Sequence, residues 1–378
     1  MLGQGPDIFG HSPEFLVEAV TTGMKRGQVF AGQHELEIQV SEAVQETVPS
    51  AELVRFASSG TEVVQAALCV ARAYTDRTRF IKFEGQYHGW MDSVSYSTTP
   101  EVEQVGPYEA AVAVPMSAGM TPGSRDGIIV LPWNDVDVLR RAMERHHRDL
   151  AAVITEPVMC NTNCIMPRTG YLEEMRRLCD RYGVVLIFDE VITGFRLGLG
   201  GAQQLLDVTP DLSTFAKAMA GGFPVSMLAG KRDMMGLIGD GTVLHGGTVN
   251  SNVMSMAAAN AVLGKLKEND GAVHKLLYST GVALMEGLRE KADRHEVEML
   301  IQGPGPMFCV AFTESTEITD FRSHKQNTDP SKYAAFTEGM LERGVRLMGR
   351  GIWFVSTAHT DEDVEQTIAA ADETLASL

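Results

Sequence analysis

The sequence is poor in cysteine, with five residues among 378. They are odd in number and scattered, and no two form a CxxC pair: Cys69, Cys160, Cys164, Cys179 and Cys309. We therefore expect no disulfide framework. Cys160 and Cys164 offer two thiolate ligands, but no histidine or second cysteine pair lies near them in the sequence, so we expect no metal and interpret them as buried thiols beside a pocket.

Basic residues and long apolar runs are also scarce. The chain has 32 Lys and Arg against 49 Asp and Glu, and its formal net charge is −17. This balance disfavours binding to phosphate backbones and to anionic membranes, so we expect no nucleic-acid partner. No apolar run approaches the roughly 20 residues that cross a bilayer, and Met1 is followed by a polar, Gly-rich segment. We expect no membrane contact and a cytoplasmic location.

Short apolar segments rich in β-formers alternate with amphipathic helical segments through much of the chain. Strand-like examples are LVRFASS, RFIKFEG, AAVITEP, GVVLIFDE and PVSMLAG, and helix-like examples are EVVQAALCVARAY and YLEEMRRLCDRY. This alternation predicts βαβ units, hence an α/β fold with a mostly parallel central sheet and helices on both faces. Ligands bind beyond the carboxyl ends of such strands, so the residues that follow each strand are the candidates for a site.

The pattern changes after about residue 266, where a long charged helical stretch follows a helix of small residues. We predict a short N-terminal helical segment over 1–45, which belongs to the small domain or to a dimer surface. A large domain over 46–270 would hold the site, and a smaller C-terminal α/β domain would span 271–378. Within that last part, residues 320–331 are predicted to form an exposed loop.

The first candidate for chemistry is the turn between the strand LVRFA and the helix that follows it. Free backbone N–H groups at a helix start favour an anion, Gly60 allows close approach, and the hydroxyls of Ser59 and Thr61 can donate. The turn is therefore a candidate phosphate site. Serine and threonine are also common helix caps, so simple capping is the alternative.

Two further candidates follow buried strands. Asp189 ends the apolar strand VVLIFDEV, and a carboxylate there needs a cation or a strong donor, although a helix cap or a surface acid would also fit. Lys217 lies among alanine and glycine residues that leave space for a bulky partner. An apolar setting disfavours its ammonium form and makes the amine available to an aldehyde. A solvated surface lysine is the alternative.

Together, a phosphate turn, a strand-end aspartate and a crowded lysine are what a pyridine aldehyde phosphate requires. The motifs that carry them resemble those of class III aminotransferases, which are pyridoxal-phosphate enzymes of fold type I. The resemblance runs in order from residues 9–20 to residues 356–375 and rests on FASSGTEVVQAALCVARAYT, FIKFEGQYHGW, ITEPVMCN, LIFDEVITGFR, TFAKAMAGGFP and LHGGTVNSN.

The resemblance implies a role for each matching residue around the cofactor. Gly60 and Thr61, beside Ser59, would hold the phosphate of pyridoxal 5′-phosphate. Tyr87 would stack on the pyridine ring, and Val191 would pack against its opposite face. The ring would then be covered on both sides.

The remaining matches surround the reactive end of the ring. Asn161 would lie near the ring hydroxyl, Asp189 would pair with the pyridinium nitrogen, and Lys217 would form the internal aldimine. His88 would brace the stacking tyrosine or the substrate, unless it only packs in the core. Thr248 resembles the residue that crosses to the partner subunit's phosphate, which implies a homodimer in which two chains complete each site.

The implied activity is transfer of an amino group between an amino acid or amine and a 2-oxo acid, with Lys217 and Asp189 as catalytic residues. The nearest branch is that of glutamate-1-semialdehyde aminomutases and β-amino-acid aminotransferases, so intramolecular 2,1-aminomutation is the alternative. The chain reads LMGRGIWFVSTAH where the mutase usually carries a Phe-Glu-Ala stretch. Arg350 in that segment resembles the arginine that grips a substrate carboxylate, and a surface arginine is the alternative.

Two other activities fit the same motifs. Racemisation or epimerisation would use the same cofactor, and a protein that only binds the cofactor would keep the fold without turnover.

Overall fold

The computed structural model describes residues 2–30 and 32–378. Its central sheet has seven strands in the order β1-β7-β6-β5-β4-β2-β3. The strands are β1 (Leu53–Ala57), β2 (Arg79–Phe83), β3 (Ile128–Leu131), β4 (Leu150–Thr155), β5 (Val185–Asp189), β6 (Leu212–Phe215) and β7 (Ser226–Gly230). Within the described residues β7 alone runs opposite to the other six strands of this sheet, since it pairs antiparallel with both β1 and β6, so the predicted mostly parallel sheet is confirmed.

A second sheet is small and antiparallel. It contains β8 (Met299–Gln302), β9 (Met307–Phe312) and β10 (Ile352–Phe354), with β9 in the middle. All three strands lie within the predicted C-terminal part of the chain. The boundaries at residues 45 and 270 stay predictions.

Helices flank both sheets. They are α1 (Glu14–Met24), α2 (Glu35–Gln45), α3 (Gly60–Thr75), α4 (Val136–His146), α5 (Tyr171–Tyr182), α6 (Gly201–Leu205), α7 (Arg232–Gly239), α8 (Val253–Lys267), α9 (Ala272–Arg294), α10 (Phe321–Asn327), α11 (Pro330–Glu342) and α12 (Asp361–Leu375). Among the described helices, none combines the length and apolar character needed to cross a bilayer.

Strands β4 and β5 are almost wholly apolar because helices cover both faces of the sheet. Val153 and Phe188 belong to the core under α4 and α5, whereas their neighbours Ile154 and Ile187 belong to the core under α3 and α7. Successive side chains of a strand point to opposite faces, and burying each of these side chains stabilises the fold by about 1.5–3 kcal/mol. The rigid sheet then fixes where each strand ends.

The predicted exposed loop at 320–331 is wrong, since these residues form α10 and the start of α11. The side chain of Asp320 caps α10 by accepting from the Ser323 amide at 2.7 Å, and Phe321 is buried. Asp329 caps α11, whose first residue is Pro330. Both are ordinary helix starts, and the polar composition of the segment concealed them.

A buried arginine joins three separate parts of the fold. The guanidinium of Arg196 donates to the carbonyl oxygens of Gly5, Pro306 and Val355 at 2.5, 3.1 and 2.8 Å. Its side chain is fully buried, and burial lowers its pKa to about 10. Arg196 therefore connects the N-terminal segment to the residue before β9 and the residue after β10 by hydrogen bonds.

Replacing Arg196 with methionine should lower the free energy of unfolding by about 3 kcal/mol, because three buried carbonyl oxygens lose their donor. Denaturant unfolding of the cofactor-free protein measures the change. Arg346→Met, at an exposed position, is the matched control. Equal free energies of unfolding in the two variants would contradict this stabilising role of Arg196.

Candidate active site

One cavity of about 340 Å³ lies where the carboxyl ends of several strands meet. Asp189 is the last residue of β5, Glu156 directly follows β4, and Lys217 is the second residue after β6. The structure brings together these residues from the predicted site: Ser59, Gly60, Thr61, Tyr87, His88, Asn161, Asp189, Val191 and Lys217. Ser59 and Lys217, which are 158 positions apart in the chain, thus line the same cavity.

The turn before α3 has the geometry of an anion cradle. Among the described residues, no acceptor is paired with the amide groups of Gly60 and Thr61. The side chain of Ser59 also caps the helix by accepting from the Glu62 amide at 3.4 Å, so capping and an anion site coexist here. A Cβ on Gly60 would come within 3.2 Å of Val191 Cγ2, which shows how closely this turn approaches the cavity wall.

Lys217 reaches the cavity through an unusual backbone. Its φ is +46°, a left-handed conformation that costs a non-glycine residue about 1–2 kcal/mol. Burial lowers the pKa of its ammonium, the nearby carboxylate of Asp189 opposes that shift, and the positive charge of Arg350 adds to it. Among the described residues Lys217 Nζ has no hydrogen-bond partner. A half-buried, unpaired amine with a lowered pKa is suited to react with an aldehyde.

Asp189 is held by three donors. Its Oδ1 accepts from the Val191 amide at 3.1 Å and from Thr214 Oγ1 at 3.2 Å, and its Oδ2 lies 2.7 Å from His88 Nδ1. The predicted contacts of His88 were Tyr87 or the substrate, whereas its observed partner is this carboxylate. The strand-end carboxylate needs a donor, and the imidazole supplies one across 101 positions of sequence.

Glu156 organises the neighbouring wall. The sequence predicts that it supports the neighbourhood of the ring hydroxyl, with a plain structural acid as the alternative. Its carboxylate accepts from the Tyr87 amide at 2.8 Å, the Cys160 amide at 2.8 Å, and the amide and side chain of Asn161 at 3.2 and 2.9 Å. Burial raises its pKa, and these donors oppose the shift.

The two remaining predicted residues lie outside this cavity. Arg350 is exposed and lines a second cavity of about 340 Å³, whose wall also includes Tyr87 and Asn161. In the described part of the chain Arg350 forms no ion pair. Thr248 is exposed and lines neither cavity of this single chain. Its contact with a partner subunit stays a prediction.

The cysteines do not form a metal site in residues 2–30 and 32–378, where no group of three or more metal-binding side chains occurs. Cys160 lines the cavity and is buried. Cys164 is also buried, with its Sγ 3.3 Å from that of Cys309, and all five cysteines are free thiols.

The residues fit pyridoxal phosphate on three independent grounds. The unpaired amides of Gly60 and Thr61 offer donors to a phosphate, the unpaired amine of Lys217 offers a bond to an aldehyde, and the fixed carboxylate of Asp189 offers an acceptor to a protonated ring nitrogen. Val191 and Tyr87 both line the same cavity.

Comparison with known proteins gives the same result. The family model for class III aminotransferases matches residues 2–371. The chain is 38% identical over 374 residues to a glutamate-1-semialdehyde 2,1-aminomutase of Thermodesulfovibrio yellowstonii, covering 98% of this chain and 85% of the relative.

Two solved structures superpose over 98% of the chain and 84% of their own length. One is an ω-transaminase from Sphaerobacter thermophilus, with a TM-score of 0.89 and 32% identity. The other is a transaminase with pyridoxal phosphate bound, with a TM-score of 0.88 and 28% identity.

These matches confirm the predicted fold, the cofactor and the amino-transferring class of enzyme. The curated aminomutase relative fits the intramolecular alternative better than the intermolecular transaminase that we expected. The chain belongs to the class III aminotransferases.

Proposed function

We propose that this enzyme moves an amino group within one substrate, as an aminomutase of the glutamate-1-semialdehyde type does. The observation that carries amino-group chemistry is the unpaired amine of Lys217 in the same cavity as Asp189 and the anion-binding turn. The 38% identity to the aminomutase favours the intramolecular course. Transfer between two substrates is the second candidate, and the unpaired guanidinium of Arg350 favours it.

In this proposal the cavity residues hold the cofactor in one orientation. The amides of Gly60 and Thr61 would bind the phosphate, and Tyr87 and Val191 would pack against the ring. Asp189 would accept a hydrogen bond from the protonated ring nitrogen, and Asn161 would lie near the ring hydroxyl. When bound, pyridoxal phosphate supplies an electron sink for the electron pair left on the substrate carbon when a proton departs.

Lys217 moves that proton. Its neutral Nζ would accept the proton from the amine-bearing carbon of the substrate, and in the second half of the reaction it would return a proton to the substrate carbon that receives the amino group. Burial makes the neutral form more abundant near neutral pH than in an ordinary lysine. His88 holds the carboxylate of Asp189 in place throughout, because its Nδ1 lies 2.7 Å from Oδ2.

The lowered pKa of Lys217 predicts faster reaction with a small aldehyde below pH 10.5, the usual pKa of a lysine. Each unit of lowering raises the reactive neutral fraction about tenfold at a pH below both values. Because the pKa of Lys217 is lower in the folded than in the unfolded chain, the unfolded chain binds more protons at pH values between the two. The contribution of Lys217 to the free energy of unfolding therefore rises with pH in that range.

Reductive trapping with formaldehyde in the cofactor-free protein tests this, with each modified peptide quantified by mass spectrometry as a function of pH. The exposed Lys275 is the internal reference. We expect the Lys217 peptide to be modified at a lower pH than the Lys275 peptide. Coincident pH profiles would show that Lys217 is an ordinary lysine.

Dependence on an acceptor separates the two candidate reactions. We expect the holoenzyme to isomerise glutamate-1-semialdehyde without an added oxo acid, and Lys217→Ala to abolish this turnover because no base remains. Liquid chromatography of the products measures it. Product that forms only when a separate 2-oxo acid is present would favour the transaminase, and no transfer with any amino acid or amine would overturn both.

The variant Arg350→Met tests the second candidate reaction in the same assay. If the enzyme is a transaminase that grips a carboxylate through Arg350, KM for amino acids should rise about tenfold or more in this variant. KM for amines that lack a carboxylate should stay unchanged. A uniform change for both kinds of donor would exclude this role.

We further propose a homodimer in which Thr248 completes the partner's phosphate site. The loop that carries it exposes apolar side chains, with Leu244 93% and Val249 51% accessible. An exposed apolar surface of this kind favours burial against another chain. The loop also lies beside the phosphate turn of its own chain, because Ser58 Oγ lies 3.4 Å from Asn250 Oδ1.

Mixing two inactive variants tests the shared site. Thr248→Asp should repel the phosphate, and Lys217→Ala removes the base. After unfolding and refolding together, mixed dimers contain one site with both native residues, so roughly a quarter of the wild-type activity should return. The separately refolded variants are the control. No recovery in mixtures that contain heterodimers would contradict the crossing of Thr248.

A further inference from the structure

Lys82 is a fully buried lysine that the proposed chemistry does not use. It lies on β2 and has 0% exposure. Within the described residues it forms no ion pair, which is uncommon because an uncompensated buried ammonium costs several kcal/mol. Instead its Nζ donates to three carbonyl oxygens, at 3.1 Å to Gln86, at 3.4 Å to Val94, and to Tyr96.

All three acceptors belong to one segment, residues 86–96, which carries two side chains of the cofactor cavity. This segment folds back on itself, and the ammonium lies where its two ends meet. An ammonium has three N–H groups, so the three carbonyls match its full donor capacity. Burial lowers the pKa of Lys82 to about 7, and the carboxylate of Glu156 opposes the shift.

The contacts of Lys82 continue to the cavity through adjacent residues. Gln86, whose carbonyl binds Lys82, also uses its side-chain Nε2 to donate to Thr155 Oγ1 at 3.1 Å. The next residue, Tyr87, donates its amide to Glu156 at 2.8 Å. His88 then contacts Asp189. A shift of the segment would move all these contacts together.

We propose that Lys82 is a positioning residue for the cofactor ring: its Nζ donors fix segment 86–96 so that Tyr87 faces the ring and His88 holds Asp189. This inference rests on the proposed binding of pyridoxal phosphate in the Lys217 cavity. Lys82 touches neither the substrate nor the cofactor. It acts through the backbone that carries the two side chains.

Lys82→Met removes the three donors while keeping most of the length of the side chain, and Lys82→Gln keeps two N–H groups. In the cofactor-free protein, we expect amide hydrogen exchange in peptides spanning 84–97 to be fastest in Lys82→Met and intermediate in Lys82→Gln. In the holoenzyme, the visible circular dichroism of the bound cofactor should change in the same order. The kcat should fall about tenfold to a hundredfold in Lys82→Met, because displaced side chains misorient the reacting groups.

Phe336→Leu is the control for lost stability, since Phe336 is buried in the core formed with the small sheet and does not line the cavity. Its loss of buried ring atoms and their packing should lower the unfolding midpoint without altering the cofactor's dichroism. If soluble Lys82→Met, like Phe336→Leu, lowers the unfolding midpoint and leaves the dichroism and kcat unchanged, the positioning role is overturned. If Lys82→Met does not fold, the same comparison with Lys82→Gln decides.

The two proposals fail in different ways. A wild-type protein that binds no pyridoxal phosphate would overturn the proposed function. A wild-type protein that binds it, together with Lys82 variants whose exchange, dichroism and kcat equal those of wild type, would overturn only the role of Lys82.

Discussion

The active site depends on matching buried charge with oriented hydrogen-bonding groups. Asp189 has three donors and Glu156 has four, and both carboxylates lie at the ends of parallel strands away from water. Leaving such groups unmatched in the interior would cost several kcal/mol each. The same donors fix the orientation of each carboxylate before any ligand binds, which reduces the reorganisation that binding requires.

Lys217 departs from this pattern. Lys82 and Arg196 are fully buried cations that donate to three backbone carbonyls each, whereas the half-buried amine of Lys217 has no such acceptor among the described residues. Its left-handed backbone adds a further cost. The surrounding packed sheet stabilises this strained residue, and the lack of a partner leaves its amine available for the proposed bond to an aldehyde.

The sequence predicted those parts of the site that depend on local pattern. Asp189 follows an apolar strand, Gly60 opens a helix, and Lys217 lies among small residues, so each could be recognised within a few positions. The contact between His88 and Asp189 joins residues 101 positions apart, and only the packing of β2 near β5 brings them together. The polar segment at 320–331 was misinterpreted for a different reason, since its helices depend on capping by Asp320 and Asp329.

In the proposed mechanism both candidate reactions need the same proton transfer at Lys217. They differ in whether the carbonyl product of the first half-reaction leaves the site before the second half-reaction begins. Intramolecular transfer requires that product to stay, which a closed site favours. Arg350 lies at the exposed surface of the second cavity, and Tyr87 and Asn161 form a wall common to both cavities. A substrate that reaches from Lys217 to Arg350 must therefore pass this common wall. In the proposed mechanism, the residues that position Tyr87 and Asn161, chiefly Glu156 and the segment that Lys82 contacts, would affect the retention of the product as well as the orientation of the ring.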